Sequence, residues 1–163
     1  MLENLTEVAE RLLGKRADTL ELKTTLSDLG ANELQIDPDD GSAYVKCPQY
    51  GFSLLFRDPA RIKNPVYSSL PRDVPIFMNC FYYSEGHEGY KQFPGPLPRG
   101  LAFSDARSAV EQKLGPPSWQ RKKEGRIVAD RWDSDSRSLH VTYKKTTDTI
   151  LIISYGLFQN LST

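Results

Sequence analysis

The sequence predicts an α+β fold: an N-terminal helix, then two tandem units, each a helix followed by a three-stranded antiparallel meander. Three observations predict it. The stretch GPLPRGLAFSDARSAVEQKLGPP, residues 95–117, encodes a short helix with both ends written locally. Apolar residues recur at helical spacing before residue 30 and at a spacing of two over much of the chain beyond it. The same order of elements then repeats, because LSDLG (residues 26–30) and VEQKLG (residues 110–115) both close a helix in leucine-glycine ahead of strand-like runs. This shared order suggests a duplicated unit, with halves at residues 1–90 and 91–163 of one compact domain. Residue identity between the halves is too weak to separate duplication from two ordinary antiparallel layouts.

Leu2, Leu5, Ala9, Leu12 and Leu13 line one face of a helix over residues 2–13, with Asn4 or a neighbour as cap and Gly14 behind the last turn. A second helix spans 19–29: Asp18 and Glu21 stand in a capping-box relation and Gly30 closes it, although Leu20, Leu22, Thr24 and Thr25 also suit a strand. Strands follow at 33–36, 43–47 and 50–57, with the DPDDG turn at 37–41 and Phe52, Leu54 and Phe56 sharing a face. Residues 58–73 hold three prolines and read as an irregular connection, whereas 74–83 are apolar on both faces, as a covered central strand must be. The glycine- and proline-rich segment 84–100 is the junction between halves. In the helix beyond it, Ser104 serves as cap, Asp105 favours the positive first turn, and Gly115, Pro116 and Pro117 form the stop. Strands at 127–133, 139–145 and 149–157 complete the second unit, the last again apolar on both faces.

A chain of 163 residues buries about two-thirds of the surface its unfolded form exposes, so no covalent staple is required. Its two cysteines, Cys47 and Cys80, fall in strand-like segments; two strands could bring them within bridging distance, and nothing requires it. The N-terminal residues lack a basic region before an apolar run, and no segment approaches the length of a membrane span, so a cytoplasmic location is expected. Lysine plus arginine and aspartate plus glutamate both total 21, which leaves no overall basic field to hold nucleic acid.

Catalysis has little to stand on. His87 and His140 are the only histidines, neither cysteine sits at a helix start, and no GxSxG, Walker or HExxH pattern occurs. Glu85, His87 and Glu88 are close in sequence, but a closed zinc site needs four ligands and the chain offers no further set, so neither a metal nor a cofactor is expected. Protein binding is the better use of that loop. Tyr82, Tyr83 and Tyr90 supply the aromatic area that dominates interface hot spots, Glu85 and Glu88 add charge, and Trp119 follows two prolines in a loop. Asp39 and Asp40 are further candidates within acidic clusters that also include Asp130, Asp133 and Asp135, while Arg121, Lys122, Lys123 and Arg126 read as a solvated loop or hairpin. Trp132, inside DRWD, is expected to anchor the second sheet.

The order FPGPLPRGLAFSDARSAVEQKLGPP, DRWD, LHVTY and TILIISYGL, residues 93–158, resembles the C-terminal half of small bacterial immunity proteins that accompany polymorphic or secreted toxins. More distantly it resembles the helix-plus-sheet unit of the SmpA/BamE lipoproteins and the tandem-repeat β-lactamase inhibitor proteins. The chain shows no lipid-acceptor cysteine near its start and no set of disulfide cysteines, which favours the first resemblance. That resemblance implies a non-catalytic protein that neutralises a cognate toxin, a nuclease among the candidates, by stoichiometric occlusion. An adaptor or secretion chaperone using the same sheet is the alternative.

Overall fold

The computed structural model describes residues 4–158. Their architecture is α+β, with four helices and one seven-stranded antiparallel sheet. The helices are α1 (Leu5–Leu12), α2 (Leu20–Asp28), the single-turn α3 (Pro65–Ser68) and α4 (Arg107–Leu114). The strands are β1 (Ser42–Cys47), β2 (Phe52–Arg57), β3 (Ile76–Tyr83), β4 (Trp119–Lys123), β5 (Arg126–Ser134), β6 (Arg137–Tyr143) and β7 (Ile150–Leu157). The helix start assigned to residue 2 lies outside the described residues.

The sheet order is β1-β2-β3-β7-β6-β5-β4, so two meanders meet where β3 pairs with β7. Those are the two segments apolar on both faces, and both take central places, where each face of a strand has something to pack against. The second meander has four strands rather than three. Residues 121–126, read as a solvated loop or hairpin, are a hairpin: residues 119–123 form β4 at the edge, paired with β5 and with every residue exposed. Arg121, Lys122 and Lys123 therefore lie on an edge strand, where cations discourage pairing with another sheet.

One face of the sheet is covered. Leu5, Ala9 and Leu12 of α1, Leu22 and Leu26 of α2 and Val110 of α4 pack on Phe52, Leu54, Phe56, Phe77, Leu139, Val141 and Ile153 in a single core. Trp132 joins that core, and its indole N–H donates to the carbonyl of Gly115 at 3.0 Å, which ties the stop of α4 to β5. Gly115, at φ +81°, does end the helix.

Three local expectations are corrected. Residues 33–36 form no strand: Leu34 alone packs on the core and Ile36 stays exposed, so the run has no apolar face to dock beside the edge strand β1. The last helix begins at Arg107 with Ala106 as its N-cap, not at Ser104. Asp105 is committed elsewhere: its carboxylate accepts from the Ala102 N–H and the Lys113 ammonium, and its carbonyl accepts from Ile150. The junction 84–100 is packed rather than a free linker, since Phe93 and Leu97 enter the common core. Cys47 and Cys80 are both free and buried. They sit on β1 and β3 with β2 between them and two residues out of register, which puts their Cα atoms at least about 10 Å apart, beyond the roughly 7 Å reach of a disulfide.

Candidate functional site

The candidate site is the sheet face opposite α1, α2 and α4. Alternation assigns its residues: where Phe52, Leu54 and Phe56 turn toward the helices, Ser53, Leu55 and Arg57 turn away, and where Leu139 and Val141 turn inward, Ser138, His140 and Thr142 turn outward. Two parts of this face are roofed: the loop after β3 lays Tyr90 over Tyr83, and the connection between β2 and β3 covers the other end. Ile62, Tyr67 and Leu70, from the connection between β2 and β3, pack on Leu55, Ile76 and Met78.

At the β4 edge the open face carries Trp119, Arg131 and His140. The Arg131 guanidinium lies 5.1 Å from the Trp119 ring centroid, and His140 approaches the same ring at 5.8 Å. Arg131 Nε also donates to Asp133 Oδ2 at 3.2 Å, so this guanidinium is held on two sides. Burial, then Arg121 and Arg131, hold the His140 imidazole below its ordinary pKa, because a second cation is disfavoured there. Trp119 is 38% exposed, the first residue of β4 and not a loop residue.

At the opposite end, Tyr83 and Tyr90 stack at 3.8 Å between centroids, and Tyr83 shares a 3.1 Å hydrogen bond with Ser53. With Tyr44, Lys46, Pro48 and Glu88 they line a depression of about 430 Å³. Tyr44 is 51% exposed and meets Phe81 at 6.3 Å. The loop that brings Tyr90 over Tyr83 crosses Gly51 so closely that a Cβ there would meet the backbone of Lys91 and Phe93. Gly51 also has φ +76°, so no other residue fits without strain.

The sequence-predicted residues do not form one patch. Tyr82 is fully buried against the helices, edge-on to Phe93 at 5.0 Å, with Thr6 Oγ1 donating to its hydroxyl at 3.2 Å. As an exposed anchor it is overturned, because adjacent residues of a strand face opposite sides and Tyr83 takes the outward place. Tyr83 and Tyr90 face outward but cover each other, and both are buried. Glu85 is exposed with Oε2 accepting from the Gln92 N–H, and Glu88 is exposed 3.8 Å from His87 Nε2. Asp39 and Asp40 lie at the far end of β1, about 20 Å along the strand from that loop. Asp40 Oδ1 accepts from the Ser42 N–H and hydroxyl, which holds its carboxyl below the usual range.

Asp130 leaves the acidic surface altogether. It is fully buried on the helix side, accepting from Arg107 Nε at 2.9 Å, Tyr143 Oη at 2.9 Å and Gln120 Nε2 at 3.0 Å. Among the described residues no group of three His, Cys, Asp or Glu side chains could hold a metal ion, and no helix is long and apolar enough to cross a membrane.

Sequence reading missed the middle of the open face. Arg57, Asn79, Arg131, Ser138 and Ser154 line a depression of about 390 Å³ there. Its signal in the sequence is the polar partner in each alternating pair. Floor space for Asn79 depends on Gly156 opposite it in β7, where a Cβ would collide with the Asn79 side chain and the Met78 carbonyl. No family model matches the chain, and no curated protein or solved structure matches it significantly.

Proposed function

We propose that this chain is an immunity-type protein, acting in the cytoplasm, which binds one toxic protein and neutralises it by stoichiometric occlusion through the open sheet face. One observation carries the reading: a seven-stranded sheet has α1, α2 and α4 on one face and leaves much of the other open between the α3 connection at one end and the Tyr90 loop at the other, with Tyr44 and Trp119 exposed at its two sides. An aromatic at each side of a rigid sheet is how a protein-binding surface is anchored. Seven strands at their ordinary spacing span roughly 29 Å, and strands of this length about 20–25 Å, which gives on the order of 650 Å² of platform. A standard interface takes about 800 Å² per partner, so the toxin engages the sheet together with its rim, including the Glu85 and Glu88 loop.

The charge of the face bears on the target. Arg57, Arg121 and Arg131 stand where an inhibitor of a nuclease would present carboxylates, so an acidic partner surface complements this face better than a cationic cleft. The two-unit organisation fits the same reading, each helix-plus-meander half contributing one side of the platform.

The test is rescue. The product of the adjacent gene is expressed alone and with this chain; the expected result is toxicity alone, survival with the chain, and co-purification at a fixed ratio. Trp119→Ala and Tyr44→Ala should each weaken the complex at least tenfold without unfolding the chain, as hot-spot truncations do. A partner that binds but harms nothing when expressed alone converts the reading to an adaptor.

A further inference from the structure

We infer that the outer edge of β4 is a pairing site for an extended, acidic segment of the protein partner, which adds to the sheet as a further strand. This deepens the protein-binding reading above and rests on it. β4 closes the sheet on one side, so its backbone is bonded to β5 along one side and to no strand along the other. Alternate N–H and C=O groups therefore point outward, which is the template that strand addition uses. The one irregularity in the β4–β5 ladder is a bulge whose extra residue, Val128, belongs to β5. β4 itself runs unbroken over its five residues, about 17 Å.

The charge of the edge selects its occupant. Arg121, Lys122 and Lys123 are exposed, and no carboxylate among the described residues lies within ion-pair distance of any of them. Neighbouring strand residues face opposite sides, so three consecutive cations put positive charge on both faces of the edge. A depression of about 490 Å³ beside the strand is lined by the same three residues and Lys145, with Val128 and Leu151 as its apolar part and no acidic residue. Arg126, the remaining cation of the hairpin, is occupied: it donates to the carbonyls of Lys144 and Lys145 and lies 3.7 Å from Asp148.

Edge lysines ordinarily keep a second sheet away. Here they exclude a second copy of this chain, because β4 paired with β4 sets cation against cation, whereas against an acidic strand the same charges attract. A purely protective edge has no use for an anchor, yet β4 begins with the exposed Trp119, whose ring lies 5.1 Å from the Arg131 guanidinium and suits an apolar residue of the added strand. A nucleic acid would meet the cations but leave the outward backbone groups unused, so a polypeptide fits this edge better.

The experiment titrates the full chain, labelled with ¹⁵N, with the peptide acetyl-Thr-Val-Glu-Glu-Glu-Val-Thr-amide, which reads the same in either direction, at constant ionic strength. Saturable shifts centred on β4 are expected, together with slower hydrogen exchange at those β4 amides that lack a β5 partner. The glutamine counterpart, which lacks the charge, and the peptide N-methylated at its glutamates, which lacks the ladder donors, should each bind about tenfold more weakly or worse. Arg121→Gln, Lys122→Gln and Lys123→Gln together should weaken binding by a similar factor while the chain melts within a few degrees of the parent. The same charge removed elsewhere, as Lys15→Gln, Lys23→Gln and Lys63→Gln, should leave binding unchanged. Replacing the three β4 cations by glutamate should transfer binding to the lysine counterpart of the peptide, which a misfolded variant could not do. Equal binding of the glutamine or N-methylated peptide, tighter binding of a thymidine oligonucleotide, or undiminished binding by the neutralised edge overturns the assignment. Absence of peptide binding removes the edge site and leaves the immunity reading to its rescue assay, whereas failure of rescue with the peptide bound removes the immunity reading alone.

Discussion

Replacing Asp130 by alanine should cost about 3 kcal/mol of folding stability, and the structure sets that figure. Asp130 is fully buried, and its two oxygens accept from three side chains on three different elements: Arg107 of α4, Gln120 of β4 and Tyr143 of β6. Removing one member of a buried, hydrogen-bonded ion pair costs roughly 3–5 kcal/mol, because the partner charge is left without compensation. The lower end applies here. The Arg107 side chain is 20% exposed and has Glu111 3.8 Å away, so water and a second carboxylate recover part of the loss. Tyr143 has no such recourse: it is buried, and burial with the Asp130 carboxylate beside it already pushes its hydroxyl pKa well up. Urea unfolding followed by circular dichroism and tryptophan fluorescence measures the change, with an unaltered denaturant slope. At about 2–4 °C per kcal/mol for a chain of this size, the melting temperature should fall roughly 6–12 °C. Adding Arg107→Met to Asp130→Ala should recover part of the loss, since the stranded cation is gone. A cost below about 1 kcal/mol for Asp130→Ala would refute the view that this carboxylate ties the second meander to its helix.

The two tryptophans should separate cleanly: Trp132→Ala, which empties core volume and orphans the Gly115 carbonyl, should lose about 3–5 kcal/mol by thermal or chemical unfolding, while Trp119→Ala at the exposed edge should lose under about 1 kcal/mol. Gly51→Ala combines a left-handed backbone with a collision against residues 91 and 93, and should lower stability by about 2–5 kcal/mol, read as a drop in melting temperature. The native state holds His140 neutral more firmly than the unfolded chain does, so the unfolded chain takes up more protons as pH falls through and below 6.5. Stability should therefore decline over that window and level off once the native imidazole protonates too; urea titrations at pH 7.5 and 5.5 should show a smaller decline in His140→Asn. Burial pushes the Cys80 thiol up to about 12 and also raises Cys47, so neither should react with a thiol-specific reagent at pH 8 until the chain is unfolded, and rapid native labelling would contradict their placement.

Much of the secondary structure was legible because its causes are local. The Leu-Gly stop of α4 works through one backbone angle at Gly115, and the inward set Phe52, Leu54 and Phe56 follows from the alternation of a strand. The doubly apolar runs that became β3 and β7 announced central positions for the same reason. The candidate site was less legible. Tyr82 and Tyr83 are equivalent in composition, yet one is core and the other faces outward, and the Tyr83 face is then closed by Tyr90 from a loop seven residues on.

By itself the sequence determined which segments are strands with an apolar side and where α4 ends, since those depend on neighbours within a few residues. The tertiary structure alone decided the rest. Residues 119–123 have no buried side and become a strand only because β5 supplies hydrogen-bond partners. The two meanders become one sheet only because β3 meets β7, a pairing between residues 69 to 77 apart in sequence. Arg57 and Arg131, separated by as many, share a groove only once that pairing exists. Non-local pairing carries no local signature, and it is the β3–β7 pairing that joins the two halves of the open face.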